Sequence, residues 1–395
     1  MSPPTAGPAP PPRGVVAVLG VTQITSWGVL YYAFAVLAPS ISADTGWSMP
    51  AVTGSFTIGL ITGAVVGIPV GRALDRRGPW LITSGGSALA AVATLAIAAS
   101  PDVGWFAAAW ALAGVAMAAV LYQPAFAAVT RWYSGRARIR ALTALTLAGG
   151  LASTAFAPLT AALAEQFDWR GAYLVLAAIL AGITVPLHVL CLRRPWPAAS
   201  HAASIRDGSV VCTRPFLMLA AAFMLSALAL YSVVISLVPL LIARGASLGV
   251  AAWALGLGGV GQVIGRMGYG LLARRVRTVP RTVAVVALGG VTTALLGATS
   301  GPIGLLVAIA MIAGAVRGIS TLLQATAVPE RWGTAQYGTL NAALGAPVTI
   351  AIAVAPWASA SMATVLGGYP QLFGALAMVS LAASAIAGAT KPRNT

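Results

Sequence analysis

Arg266 and Arg317 stand inside long apolar runs of a 395-residue chain in which only 8% of residues are charged. A cation inside an apolar segment is costly and usually faces a partner or a solute pathway. Each guanidinium offers a planar fork of donors that matches a carboxylate. In helical register, Gln262 and Tyr269 lie at i−4 and i+3 from Arg266 and share its face. Ser320, Thr321 and Gln324 follow Arg317 at i+3, i+4 and i+7 and form a second polar stripe. The seven acids, Asp44, Asp75, Asp102, Glu165, Asp168, Asp207 and Glu330, all lie outside the middle of any apolar run. Two embedded cations without an embedded anion suit a small anion, a carboxylate first. The competing role for either arginine is a structural bond to backbone carbonyls. Tyr31, Tyr32, Tyr122, Gln123, Tyr231, Tyr337 and Asn341 are further polar candidates, each of which alone is more often interhelical glue or an interface aromatic than a ligand.

Other chemistry finds little support. The two histidines, His188 and His201, and the two cysteines, Cys191 and Cys212, have neither metal-ligand spacing nor a nucleophile's neighbours. The expectation is therefore no enzyme, no metal and no cofactor, with His188 a packed residue or a proton carrier. Gly256-Leu-Gly258-Gly-Val-Gly261 has the letters of a dinucleotide-binding loop, which requires a preceding strand and a βαβ unit. Here the string sits within an apolar run, where small residues let helices approach closely. Gly149, Gly150, Gly314 and Gly318 take the same explanation.

The elements that must position these residues follow from composition. With 59% hydrophobic residues, 8% charged and a mean hydropathy of +0.90, the chain needs lipid as its solvent; a soluble domain carries about 25% charged residues. A bilayer core takes about 20 apolar residues in a helix. Spans are predicted at about 14–38, 51–73, 79–99, 104–130, 140–165, 170–192, 215–243, 248–273, 281–300, 302–326, 334–361 and 369–389. The expected fold is an all-α membrane protein of twelve transmembrane helices. Residues 1–13 read as a Pro-rich tail and 14–192 as an N-terminal six-helix bundle. A central loop at 193–214, a C-terminal six-helix bundle at 215–389 and a tail at 390–395 follow.

A net charge of +16 and a pI near 11.3 raise nucleic acid as a partner. The basic residues instead occupy short gaps between apolar runs, which marks cytoplasmic loops. With the N-terminus inside, 19 of the 23 Lys and Arg fall on the inner side and two, Arg170 and Arg244, on the outer. Both tails and the central loop are thus expected in the cytoplasm, where Cys191 and Cys212 stay reduced. The 22 arginines against one lysine, with abundant Ala, fit a GC-rich bacterial genome and an inner membrane.

The string Gly71-Arg-Ala-Leu-Asp75-Arg76-Arg77-Gly78, and after the eighth span Gly265-Arg-Met-Gly-Tyr-Gly270-Leu-Leu-Ala-Arg274-Arg275, resemble the loop signature of the major facilitator superfamily. The second copy has Arg274 where the first has Asp75. The resemblance implies two bundles around a central cavity and alternating access by rocking, with Asp75, Arg76 and Arg131 forming an inner gate. Tyr122-Gln-Pro-Ala-Phe through Arg131-Trp-Tyr133, Ala157-Pro158-Leu159, Asp168-Trp169-Arg170-Gly171-Ala-Tyr173 and Leu192-Arg-Arg-Pro195 are similar to the fourth to sixth spans of the monocarboxylate transporter family. In the first span Thr25-Ser26-Trp27-Gly28 keeps that family's Trp and Gly but lacks its acid and its later Lys. The family has an arginine at the place of Arg266, taken to hold the substrate carboxylate, and its proton-coupled members have an Asp where this chain has Gln262. The tenth helix of the fold lines the cavity, which brings Arg317 near substrate. The resulting substrate-binding set is Arg266, Arg317, Gln262, Tyr122, Tyr31 and Asn341. The implied activity is secondary or facilitative transport of a small organic anion, first a monocarboxylate, by a monomer in the lipid bilayer. A proton, if moved, would travel with the substrate or through His188. The alternatives are efflux of amphipathic or drug-like compounds, and a receptor or scaffold that moves no solute.

Overall fold

The computed structural model describes residues 14–196, 210–333 and 337–390. The Pro-rich segment, most of the central loop and the final residues, to which the sequence assigns cytoplasmic positions, lie outside the described residues. Among the described residues every regular element is a helix. The spans are α1 Val15–Thr45, α2 Met49–Arg77, α3 Pro79–Ala98, α4 Val103–Trp132, α5 135–167 and α6 169–191. After the central segment come α7 Arg214–Ala243, α8 Leu248–Arg275, α9 Thr278–Ala298, α10 Ile303–Trp332, α11 Tyr337–Leu366 and α12 Tyr369–Gly388.

Helical geometry runs almost unbroken from Gly135 to Cys191, 57 residues, which straight would measure about 86 Å against a hydrocarbon core of about 30 Å. Asp168 breaks it. Its φ of 65° reverses the chain, and its carboxylate accepts a bond of 2.8 Å from the Gly171 backbone N–H, capping α6. The run is therefore two antiparallel spans, with the turn where charge and aromatics interrupt the apolar sequence. Elsewhere the helices outrun the predicted spans by up to two turns; α1 continues to Thr45 and α10 to Trp332.

Two interruptions matter for the interior. α1 contains a π-helical turn at Gly28–Tyr32, a feature common at functional sites. Gly28 packs so closely on α5 that a Cβ there would stand 2.2 Å from the Phe156 ring. α4 breaks at Leu121, whose extended backbone leads into a new helical segment starting at Tyr122 with Pro124 in its first turn.

In the first half α2 and α3 pack on α4; in the second α8 packs on α10, α9 on α12 and α7 on α11. The halves meet along α5 against α8 and α2 against α11. Away from the basic loops the seam is closed. The stretch of α1 from Ala33 packs against α7, and Val36 and Leu37 of α1 and Val238, Leu240 and Leu241 of α7 are fully buried. The Trp357 backbone N–H donates to Thr57 Oγ1 at 3.2 Å, and Thr154 Oγ1 donates to the Gly256 carbonyl at 2.8 Å.

Candidate functional site

Between that closed end and the basic loops lies a cavity of about 160 Å³, lined from both halves. The π-turn of α1 presents Tyr31 and Tyr32 together, ring centroids 5.4 Å apart, with Trp27 one turn earlier at 5.6 Å from Tyr31. Tyr122 enters from the break in α4, 5.1 Å from Trp27 and stacked on Phe126 at 4.9 Å. Its hydroxyl fits because Gly149 has no side chain, since a Cβ there would come within 2.0 Å of it.

The second half supplies the polar wall: Tyr231 from α7, Gln262 and Arg266 from α8, Arg317 and Thr321 from α10. Arg266 and Arg317 are each only 8% exposed. Arg266 crosses the seam and donates through one terminal nitrogen to the Thr146 carbonyl of α5, passing Gly150, where a Cβ would stand 3.0 Å from that nitrogen. A terminal nitrogen of Arg317 donates to Gln262 Oε1 at 3.3 Å. The Nε atoms of both arginines are buried and have no hydrogen-bond partner in the protein. Among the described residues no Asp or Glu lines the cavity.

Of the six residues assigned to substrate from the sequence, the structure gathers Arg266, Arg317, Gln262, Tyr122 and Tyr31. Asn341 lies half-buried on α11 and is not part of this lining. Trp27, Tyr231 and Thr321 join it, although the sequence reading gave them no place in the substrate set. Trp27 had a signal, lying four residues before Tyr31 on the same helical face. Tyr269, on the face of Arg266, bonds Thr326 Oγ1 instead, beneath Arg281.

At the basic end, Arg131 pairs with Asp75 at 2.6 Å and lies over the Trp196 ring at 4.7 Å. Trp196 donates to the Asp75 carbonyl, and Arg76 is exposed beside it. The cluster joins α2, α4 and the segment after α6, all within the first half. In the second half the ion pair at this end lies outside the signature copy: Glu330 at the end of α10 pairs with Arg281 of α9. Arg281, which the sequence places with the loop cations, is only 2% exposed and also donates to the carbonyls of Ala273 and Val276. At the opposite end Arg170 pairs with Asp44 at 3.0 Å, and Arg244 donates to the carbonyls of Gly297 and Thr299. His188 is buried against α3, its Nδ1 at 2.7 Å from Ser87 Oγ, and does not line the cavity. Cys191 and Cys212 are free, and no metal-binding group of His, Cys, Asp and Glu occurs among the described residues.

Two six-helix bundles meeting around a polar cavity in a lipid-solvated chain define a polytopic membrane transporter. Residues 18–356 match the Major Facilitator Superfamily, and the chain belongs to that superfamily. Monocarboxylate transporter 13 of Bos taurus is 29% identical over 343 residues, covering 80% of this chain and 72% of the relative. Its counterpart in Rattus norvegicus is 28% identical over 326 residues, with the same shares. Among solved structures, a bacterial homolog of the human lysosomal transporter Spinster has the same fold. Its inward-facing occupied form superposes with a TM-score of 0.71 at 16% identity, covering 95% of this chain and 93% of that one. The unoccupied form gives 0.73 at 14%, with the same shares. Membership places the chain among integral membrane transporters, a family and fold that are not those of enzymes.

Proposed function

We propose that this transporter moves a small organic anion, a monocarboxylate first, across the cell membrane by alternating access, with Arg266 and Arg317 receiving the carboxylate. The observation that carries this reading is the pair of guanidiniums lining one cavity with no acid among the described lining residues. Leaving a buried cation without a counter-charge costs several kcal/mol, and a bound carboxylate offsets that cost. The similarity to monocarboxylate transporter 13 supports the same class. The Asp75–Arg131–Trp196 cluster lies within one bundle, which suits a part that stiffens the bundle's inner end as the halves rock. Gln262 carries no proton, so a proton that moves travels with the substrate or the chain exchanges anions; His188 stands outside the cavity.

A thermal-shift series with mono- and dicarboxylates tests the class. A ligand at 100 times its Kd stabilises the folded state by about 2.7 kcal/mol, which raises the melting temperature by several degrees. Stabilisation by carboxylates and none by the corresponding amides is the expected result; equal responses to both would count against it.

The basic end is assigned to the cytoplasm from the distribution of Lys and Arg. Asp207→Cys, in a background with Cys191→Ser and Cys212→Ser, should stay unlabelled by an impermeant thiol reagent in intact cells and react after permeabilisation. Labelling in intact cells reverses the orientation.

A further inference from the structure

Beside the polar cavity lies a second cleft, of about 210 Å³, that shares two of its walls, Trp27 and Tyr122. Leu60 and Ala64 of α2, Met117 of α4 and Ile352 of α11 give it an apolar lining, with few polar members such as Gln123 and Thr349. Neither guanidinium lines this second cleft. Tyr122 is amphipathic in this position: its hydroxyl reaches toward Gly149 and Arg266, and its ring forms part of the apolar wall. The two compartments adjoin at this aromatic pair, cationic on one side and apolar on the other.

We propose, on the reading that Arg266 and Arg317 receive a carboxylate, that the substrate is an amphipathic acid whose branched or aromatic body passes Trp27 and Tyr122 into the apolar cleft. Acids of two or three carbons are then poor ligands. The polar cavity alone holds such a short acid, but an apolar space of about 210 Å³ beside it stays without hydrocarbon contacts. Cavities of about 150 Å³ lined by aliphatic and aromatic side chains accept a benzene ring, so the cleft has room for a phenyl or branched butyl group. The indole of Trp27 and the phenol of Tyr122, 47° apart at the waist, offer faces for a planar body.

The test compares acetate, 2-oxobutanoate, 4-methyl-2-oxopentanoate and phenylpyruvate, with the amide of phenylpyruvate and an aromatic amine, on the purified protein by thermal shift and direct binding. Each methylene that enters the cleft should tighten binding about fourfold, and phenylpyruvate should bind at least tenfold more tightly than acetate. Ala64 is exposed in the cleft, and Ala64→Phe fills it. The expected result is a loss of at least tenfold in the ratio of phenylpyruvate to acetate affinity. Thr349→Met, at an exposed position on α11, narrows the cleft from the other side and serves if the first variant does not fold. Equal affinities for short and long acids, both lost in Arg266→Gln, would overturn the apolar compartment while leaving the anion reading intact. Equal binding of phenylpyruvate and its amide would sink the anion reading and the proposal with it. Tighter binding of the aromatic amine would assign the site to cationic amphipathic compounds and overturn both.

Discussion

Replacing Arg266 with Gln is expected to weaken binding of a monocarboxylate about 30- to 1,000-fold, or about 2 to 4 kcal/mol, while the melting temperature of the ligand-free protein moves little. The two effects separate because the guanidinium has two kinds of contact. One terminal nitrogen donates to the Thr146 carbonyl across the seam, and the side chain also lines the cavity. Gln removes a buried charge that no described acid of the cavity compensates, and the desolvation relieved offsets the bond to Thr146 that is lost. Lys keeps the charge without the fork and should recover only part of the affinity. Arg317→Gln should matter less for a monocarboxylate and more for a dicarboxylate able to reach both cations. If Arg266 serves only to hold α8 to α5, its loss lowers stability and the surviving protein binds normally. That outcome in Arg266→Gln would falsify the carboxylate role.

What the sequence disclosed and what it withheld follow from how far each signal reaches along the chain. Lipid demands a run of about 20 apolar residues, so the spans and their division stood out wherever polar gaps interrupt them, and Asp168 turned out to be the one residue separating α5 from α6. Arg266, Arg317 and Gln262 were legible because a polar group inside such a run is an anomaly that demands a use. Trp27 and Tyr231 were less so, since an aromatic is at home in an apolar helix; Trp27 had only its spacing to Tyr31 and Tyr231 only its hydroxyl, and the meeting of the halves shows that both face the cavity. Asn341 sits on a helix with Pro347 and Pro356 inside it. Prolines in a helix kink it, so periodicity alone does not say which face reaches the centre. The pairing of Arg281 with Glu330 spans 49 positions, a separation at which helical period carries no information.

The glycines of α8 and α10 are expected to carry the second large effect, and in them stability and binding should fall together. A Cβ at Gly261 would stand 2.0 Å from the Met311 carbonyl oxygen, at Gly314 2.0 Å from that of Gly258, and at Gly318 2.1 Å from that of Gln262. The letters of a dinucleotide loop are thus read here as backbone laid directly on backbone. The obstacle in each case is main chain, which cannot swing away as the end of a side chain can, so Gly318→Ala must push α8 and α10 apart. Overpacking of this kind costs about 1 to 3 kcal/mol and occasionally more, several degrees of melting temperature. Gly318 adjoins Arg317 and packs on Gln262, so the same displacement pulls apart the bond between those two side chains and should lower anion affinity as well. Gly268 supplies the control. It lies on α8 within the same helical run, and a Cβ there would meet nothing within 4 Å. Gly268→Ala should leave binding unchanged and raise stability by about 0.5 to 1 kcal/mol, the ordinary gain of Ala over Gly within a helix. Close approach predicts opposite signs for the two alanines. If Gly268→Ala destabilises the protein as much as Gly318→Ala does, the glycines serve the flexibility of the helix rather than its contact with α10.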